Sequence, residues 1–480
     1  MMVEYEKMEQ QELEFPEVIS YINTIADSTT LYNNDSTYWT TMRPVPLTSY
    51  EIKGYQKMEE FEKKEEEEAK KDSVKQRTIH IQDPLLGNTY RFGENNSIII
   101  RSPLATVSFN AVEGYHFDYE VYYRKTLTKN RRFEFGPVFR YAFARDKLLT
   151  KFRGLYQFGD ILNDATVTVE SGKYISQINR EEPIHPYVNT FTALFLEENY
   201  IKLFEKQFTS INFEIEPDEN FSVNAFIEHQ DRKMLSNNTT HSWINRENKR
   251  YDPNVPDNAE LGNTAFIDHT AMILNVKAAW EPWQKYKMVN GRKRALEESS
   301  PEFTLEYTKG INGIFDCDVD YDQVSISMNH GFNLGIRNRI DFRVEAGTFL
   351  NDANMTFLDY KHFLGNETPF STTDPSKSFR LLNYYRYSTN DAYLTIHLHD
   401  QFRRFFITQL PLVRAMGIKE NLFVNYLNTS ASDHYTEIGY GLDNILRVFR
   451  LEAVTSWQEG EYQDLGFRIG IATNLDDLFN

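Results

Sequence analysis

From about Val107 to the C-terminus, apolar and polar residues alternate with a period of two, and no other property of the chain narrows its folds so far. Phe117, Tyr119, Val121 and Tyr123 alternate with Asp118, Glu120, Tyr122 and Arg124. Ile340, Phe342, Val344 and Ala346 alternate with Arg339, Asp341, Arg343 and Glu345. The pattern recurs in Met272, Leu274, Val276; in Leu394, Ile396, Leu398; in Ile438, Tyr440, Leu442; and in Phe467, Ile469, Ile471. Successive side chains on a strand point to opposite faces, so each apolar set occupies one face and each charged set the other. The segments predict about 14 to 16 strands, many of about nine residues or more. Short turns such as Lys129-Asn130 and Pro217-Asp218 join them, with long insertions at roughly Leu235 to Asp268 and Asn351 to Asn390. Loops of that length are functional or mobile more often than they are filler.

Alternation alone does not separate a soluble β-protein from a membrane barrel. What fills the polar face does. Arg339, Asp341, Arg343 and Glu345 put a ladder of full charges on one strand, and His397 and His399 belong to the matching face of another, which suits a hydrated lumen. Aromatic residues make up 14% of the chain, 29 Tyr, 35 Phe and 5 Trp, and a transmembrane strand places such residues towards lipid and in belts at the interfaces. Gly136, Gly347, Gly439, Gly441, Gly466 and Gly470 fall on the polar face, where small residues relieve crowding inside a curved wall. The expected fold is all-β, a large antiparallel transmembrane β-barrel over residues 106–480, preceded by a mostly helical or irregular N-terminal segment, 1–105. No repeat of roughly 20 to 50 residues supports a propeller.

The N-terminal segment reads differently. Residues 1 to 20 are acidic, and Thr48 to Lys75 is helix-like, with Glu59, Glu60 and Glu65 to Glu68 interleaved with Lys63, Lys64, Lys70 and Lys71. This is a solvated helix or linker that could meet a periplasmic partner. Met1 to Gln10 lacks the basic and apolar regions of a signal peptide. The net charge of −18 argues against nucleic acid as a partner. One segment among the strands, His185 to Lys206, has Phe191, Leu194, Phe195, Leu203 and Phe204 at helical spacing and is expected to be a plug or packing helix.

Several stretches resemble a Bacteroidota outer-membrane family of unknown function. They are Asp316 to Asp322 (DCDVDYD), Arg343 to Asn351 (RVEAGTFLN), Asp359 to Thr368 (DYKHFLGNET), Ser378 to Asp391 (SFRLLNYYRYSTND) and Tyr462 to Ile471 (YQDLGFRIGI). Tyr38 to Thr48 and Glu197 to Lys206 are also similar to it. Full-length members of that family join a signal peptide and a carboxypeptidase-regulatory-like β-sandwich to a large barrel. The resemblance therefore implies an outer-membrane barrel, and it implies that this chain corresponds to the C-terminal part of a longer product. It carries no catalytic residues.

Candidate sites follow from the same faces. Asp359, Lys361, His362, Tyr384, Tyr385 and Arg386 bracket the long insertion and are candidates for a loop that folds into the lumen as a gate, because loop residues of these types more often bind than pack. Asp464, Gly466, Ile469 and Ile471 have the spacing of a C-terminal signal read by the barrel-assembly machinery. His397 and His399 with Asp400 could face one metal, but no third ligand is identifiable. Asp316 to Asp322 is not an EF-hand loop, since Tyr321 and Ser327 stand where Gly and Glu belong; it reads as a solvated turn before the Val324 strand, with a nonstandard calcium site as the alternative. Cys317, the lone cysteine, has no motif around it, and no nucleophile elbow or phosphate loop occurs. No metal, cofactor or catalytic residue is expected. The expected function is a non-catalytic outer-membrane barrel acting as a channel, translocation or assembly component, with outer-membrane lipid as its surroundings. The alternatives are a surface-anchored barrel enzyme and a soluble all-β binding protein.

Overall fold

The computed structural model describes residues 80–471, apart from short stretches at 94, 129–130, 160–163, 245–248, 290–291, 297–299, 336–337, 372 and 374–375. The acidic first residues and the helix expected over Thr48 to Lys75 lie outside the described residues.

In chain order the strands are β1 (Asn88–Phe92), β2 (Asn96–Ile100), β3 (Ser108–Asn110), β4 (Gly114–Thr128), β5 (Arg131–Ala142), β6 (Lys147–Gly159), β7 (Asp164–Gln177), β8 (Leu203–Asp218), β9 (Phe221–Met234) and β10 (His269–Trp280). There follow β11 (Tyr286–Val289), β12 (Arg292–Ala295), β13 (Glu302–Gly310), β14 (Asp320–Leu334), β15 (Asn338–Asn354), β16 (Phe370–Ser371), β17 (Tyr393–Phe402), β18 (Lys419–Asn428), β19 (Tyr435–Ile445), β20 (Phe449–Gln458) and β21 (Glu461–Ile471). β11 and β12 pair as a separate two-stranded sheet. The other nineteen form one sheet among the described residues, against the 14 to 16 strands expected in all: fifteen have nine residues or more, and β1, β2, β3 and β16 have five or fewer. β1 and β2 lie ahead of the boundary expected at residues 105 and 106, yet they already belong to the sheet, with Ile98 of β2 opposite Tyr123 of β4.

The sheet is an antiparallel meander in which each long strand pairs with the next, β15 passing directly to β17. Its two faces sort as a period of two requires. Glu345, His397, Glu437 and Glu452 are buried on the inward face. Leu305, Ile326 and Phe467 are 54%, 56% and 68% exposed on the outward face. A soluble sandwich would bury the apolar set, and this wall buries the polar set instead, which is the arrangement that lipid stabilises. No helix among the described residues is long and apolar enough to cross a membrane.

Strand direction alternates, so the connections sort to two ends. Residues 178–202, 235–268, 311–319 and 355–392 share one end. Residues 219–220, 403–418 and 446–448 share the other with the C-terminal end of β21. Three of the long connections share a hydrophobic core with the wall, in which Ile178, Ile184, Leu235, Phe266, Leu358 and Tyr385 pack with Leu149 of β6, Ile175 of β7 and Phe204 of β8. A second core joins Phe363, Phe379, Leu382 and Tyr387 of residues 355–392 to Tyr393, Leu427 and Tyr435 of the wall. The helix expected over His185 to Lys206 is shorter: Pro186–Phe191 is α-helical, a single π turn follows at Thr192–Leu196, and Leu203 and Phe204 already belong to β8. Glu197, in the left-handed region at φ 55°, ends the turn.

Candidate functional site: a loop tied to the lumen wall

Residues 355–392 leave β15 through a capping box. Asp359 Oδ2 accepts from the Thr356 amide at 3.2 Å and from its hydroxyl at 3.0 Å, which closes the 3-10 turn Phe357–Asp359. The turn aims the carboxylate at Arg232 of β9, whose Nη1 donates to both oxygens at 2.8 and 3.0 Å, and at Arg180, 3.2 Å away. Burial alone would raise the Asp359 carboxyl, but the Arg232 and Arg180 guanidiniums outweigh it and hold the group below the usual carboxylate range.

Two residues on, Lys361 Nζ reaches Glu345 of β15 at 2.7 Å and Glu181 at 3.2 Å, over the ring of Tyr393. Burial would lower the ammonium, and the two carboxylates raise it instead. His362 is buried, with Nδ1 2.8 Å from Ser388 Oγ. The Ser388 hydroxyl donates to the Tyr385 carbonyl at 2.7 Å. Burial pushes His362 down to about 3, so the ring is neutral. Glu367 accepts the Tyr384 amide at 2.7 Å, and burial pushes its carboxyl up to about 7. Tyr385 and Tyr387 both have positive φ, 67° and 58°, a costly conformation for bulky residues that the surroundings must hold. Asn258 of the neighbouring long connection donates to the Tyr385 carbonyl at 2.8 Å. Arg386 lies over the Tyr387 ring, 3.7 Å from Glu260.

Sequence reasoning missed the far side of the loop. Arg380 is fully buried, with Nε 2.9 Å from Glu452 of β20 and Nη1 donating to Ser378 and Thr373. Glu437 of β19 accepts three successive amides, those of Arg380 and Leu381 at 2.7 Å and Leu382 at 2.9 Å, together with Asn425 Nδ2 and the Tyr435 hydroxyl. Arg468 of β21 donates to the Arg380 carbonyl, and β16 pairs in parallel with Ile469 and Gly470 of the same strand. The signal available in the sequence was a full charge on the polar face of a strand. Nothing local says which loop will answer it.

The remaining candidates lie as follows. Arg339 pairs with Asp341 at 2.9 Å and Arg343 with Glu345 at 3.1 Å along the inward face of β15. His399 and His397 stand opposite Asp341 and Arg343 in register. His397 Nδ1 is 2.9 Å from Asn425 Oδ1, and Asp400 follows alternation to the opposite face, away from both imidazoles. Asp318 accepts the Thr270 amide, Asn351 Nδ2 donates to Asp320 at 2.8 Å and to Asp322 at 3.5 Å, and Lys309 pairs with Asp322. Among the described residues no three metal-binding side chains come together. Cys317 is buried, which raises its thiol. In β21, Ile469 is exposed on the outward face, and a Cβ on Gly466 would meet Leu381 at 2.3 Å. Ile471 ends the strand opposite Phe449.

Polar cavities adjoin the loop. One of about 250 Å³ touches Arg180, Asp359, Lys361 and Asn275, and another of about 290 Å³ touches Gln177, Lys206, Gln230 and Arg232. A third, of about 450 Å³, touches Arg153, Thr166, Ser210 and Asn224 and none of the long connections.

The site thus defines a transmembrane β-barrel with a polar interior and a loop bound inside it. The chain belongs to the family of unknown function DUF5686, whose C-terminal domain matches residues 82–442. No curated protein matches it in sequence. Solved structures similar to it include BamA from Haemophilus ducreyi lacking POTRA domains 1–3, at 12% identity over 78% of this chain and 70% of that one, TM-score 0.40. CdiB from Acinetobacter baumannii has 11% identity over 78% and 59%, TM-score 0.34, and a variant of Rh. blastica porin 9% over 74% and 89%, TM-score 0.29.

Proposed function

We propose that the chain is the barrel of an outer-membrane channel or translocation component, without catalysis of its own, in a state closed by residues 355–392. One observation carries this reading. A single loop is bound by inward side chains from well-separated strands: Arg232 of β9, Glu345 of β15, Glu437 of β19 and Glu452 of β20. A wall that spends buried charge on holding a loop, with polar cavities beside it, suits a gate better than a packed core. In this reading, outer-membrane lipid surrounds the wall and the N-terminal segment meets a periplasmic partner. The barrel-assembly machinery reads Asp464, Gly466, Ile469 and Ile471 during biogenesis.

Replacing residues 364–383 by a short Gly-Ser linker tests the gate in a planar bilayer. The intact chain is expected to stay closed most of the time and the excised chain to show steady conductance steps. If both conduct alike, the loop is not the gate.

A further inference from the structure

The connection from β17 to β18, residues 403–418, is built unlike its neighbours at the same end of the wall. By alternation Glu420 lies on the outward face of β18, opposite outward Phe402 and Leu442, yet it is fully buried. The connection itself covers it. The Glu420 carboxylate accepts the amides of Phe405, Phe406, Ile407 and Thr408 at 3.1, 2.8, 2.7 and 3.2 Å, the Tyr440 hydroxyl at 2.6 Å and the Thr408 hydroxyl. Residues 405–408 are therefore laid over the outer surface of the wall, not across its mouth.

Held there, the connection exposes Phe406, Leu410 and Met416 at 75%, 57% and 60%. Phe405 stacks on Phe402 with ring centroids 4.6 Å apart, and Phe402 ends the outward column Leu394, Ile396, Leu398. The exposed apolar surface is thus continuous with the face that meets lipid. Asp400 interrupts that column between Leu398 and Phe402, close to the end of β17. Arg403 and Arg404 are exposed just beyond it, and neither has a carboxylate partner among the described residues. Guanidinium forks match phosphate oxygens, and aromatic side chains with adjacent cations favour the headgroup region of a bilayer.

We infer that residues 403–418 form a membrane-interface foot. Arg403 and Arg404 bind the phosphate of an anionic glycerophospholipid, while Phe406, Leu410 and Met416 enter the acyl boundary. This rests on the transmembrane reading of the barrel.

The test uses the whole chain in phosphatidylcholine vesicles carrying trace spin-labelled phosphatidylglycerol or spin-labelled phosphatidylcholine. The wild type is expected to retain phosphatidylglycerol preferentially. The double variant Arg403→Gln, Arg404→Gln should lose that preference by about five-fold for each arginine, with unchanged heat-modifiable migration. An unchanged preference overturns the inference. Displacement of the labelled lipid by excess inorganic phosphate also overturns it, by reassigning the site to a free anion. Because Cys317 is buried, Phe406→Cys gives a thiol that a polarity-sensitive fluorophore can label selectively. Emission typical of an apolar setting is expected, and emission typical of water would remove the foot. If the wild type itself fails to show heat-modifiable migration, the barrel reading fails first.

Discussion

Asp359 and Glu367, eight residues apart on one loop, answer burial in opposite ways because only one has guanidinium partners. Glu367 has a bound-state value of about 7 against an ordinary 4.5, so its charge works against the docked loop. Stability from this group is present below about 4.5 and is lost as pH rises through 7. Glu367→Gln mimics the protonated form and still accepts the Tyr384 amide. It is expected to stabilise the docked loop at pH 8 by on the order of 2 kcal/mol and to have little effect at pH 4, measured as thermal unfolding in detergent. His362 has the reverse sign. Its value is about 3 in place and near 6.5 when released, so its contribution is present above 6.5 and fades as pH falls towards 3. In the Glu367→Gln chain His362 acts without that opposition, and the melting temperature should fall more steeply from pH 6.5 to 4 than in the wild type. Arg232→Ala leaves Asp359 buried against Arg180 alone. The expected cost is about 3 to 5 kcal/mol, seen as protease cleavage within residues 355–392.

At the scale of elements, the wall interlocks through glycine and aromatic pairs. Gly439 of β19 stands opposite Phe423 of β18, and a Cβ there would lie 2.0 Å from the ring. Gly347 of β15 likewise faces Tyr393 of β17. Each glycine opens a notch that an inward ring on the next strand fills, a cross-strand pairing known to stabilise sheets. Gly439→Val should therefore block folding into vesicles, and adding Phe423→Ala should restore it; a second variant that fails as completely as the first would contradict the interlock. The sequence placed these glycines on the polar face but not against their partners, because register between strands is invisible in either strand alone. The segment His185 to Lys206 shows the same limit. Phe191 and Leu194 have helical spacing and are helical, whereas Leu203 and Phe204 continue that spacing by chance and pair in β8.

At the scale of the whole molecule, the fold was legible because alternation is local and repeated. Arg339 to Glu345 and Ile340 to Ala346 sort to opposite faces in the structure as they do in the sequence. The bound loop was legible only in part. Its length, with Lys361, His362, Tyr384 and Tyr385, marked it as a candidate gate. What ties it down was hidden: Arg232 lies 127 residues from Asp359, and Glu437 lies 57 from Arg380, so no window of sequence contains both partners. Everything rests on the wall facing lipid with its apolar side. That is tested most directly by folding Phe342→Arg and Arg343→Ala chains into lipid vesicles and reading heat-modifiable migration. Phe342→Arg is expected to cost about 2 to 4 kcal/mol near the bilayer midplane and to lose folded protein, while Arg343→Ala keeps it. Equal tolerance of the two, or the reverse order, would contradict the assignment of faces.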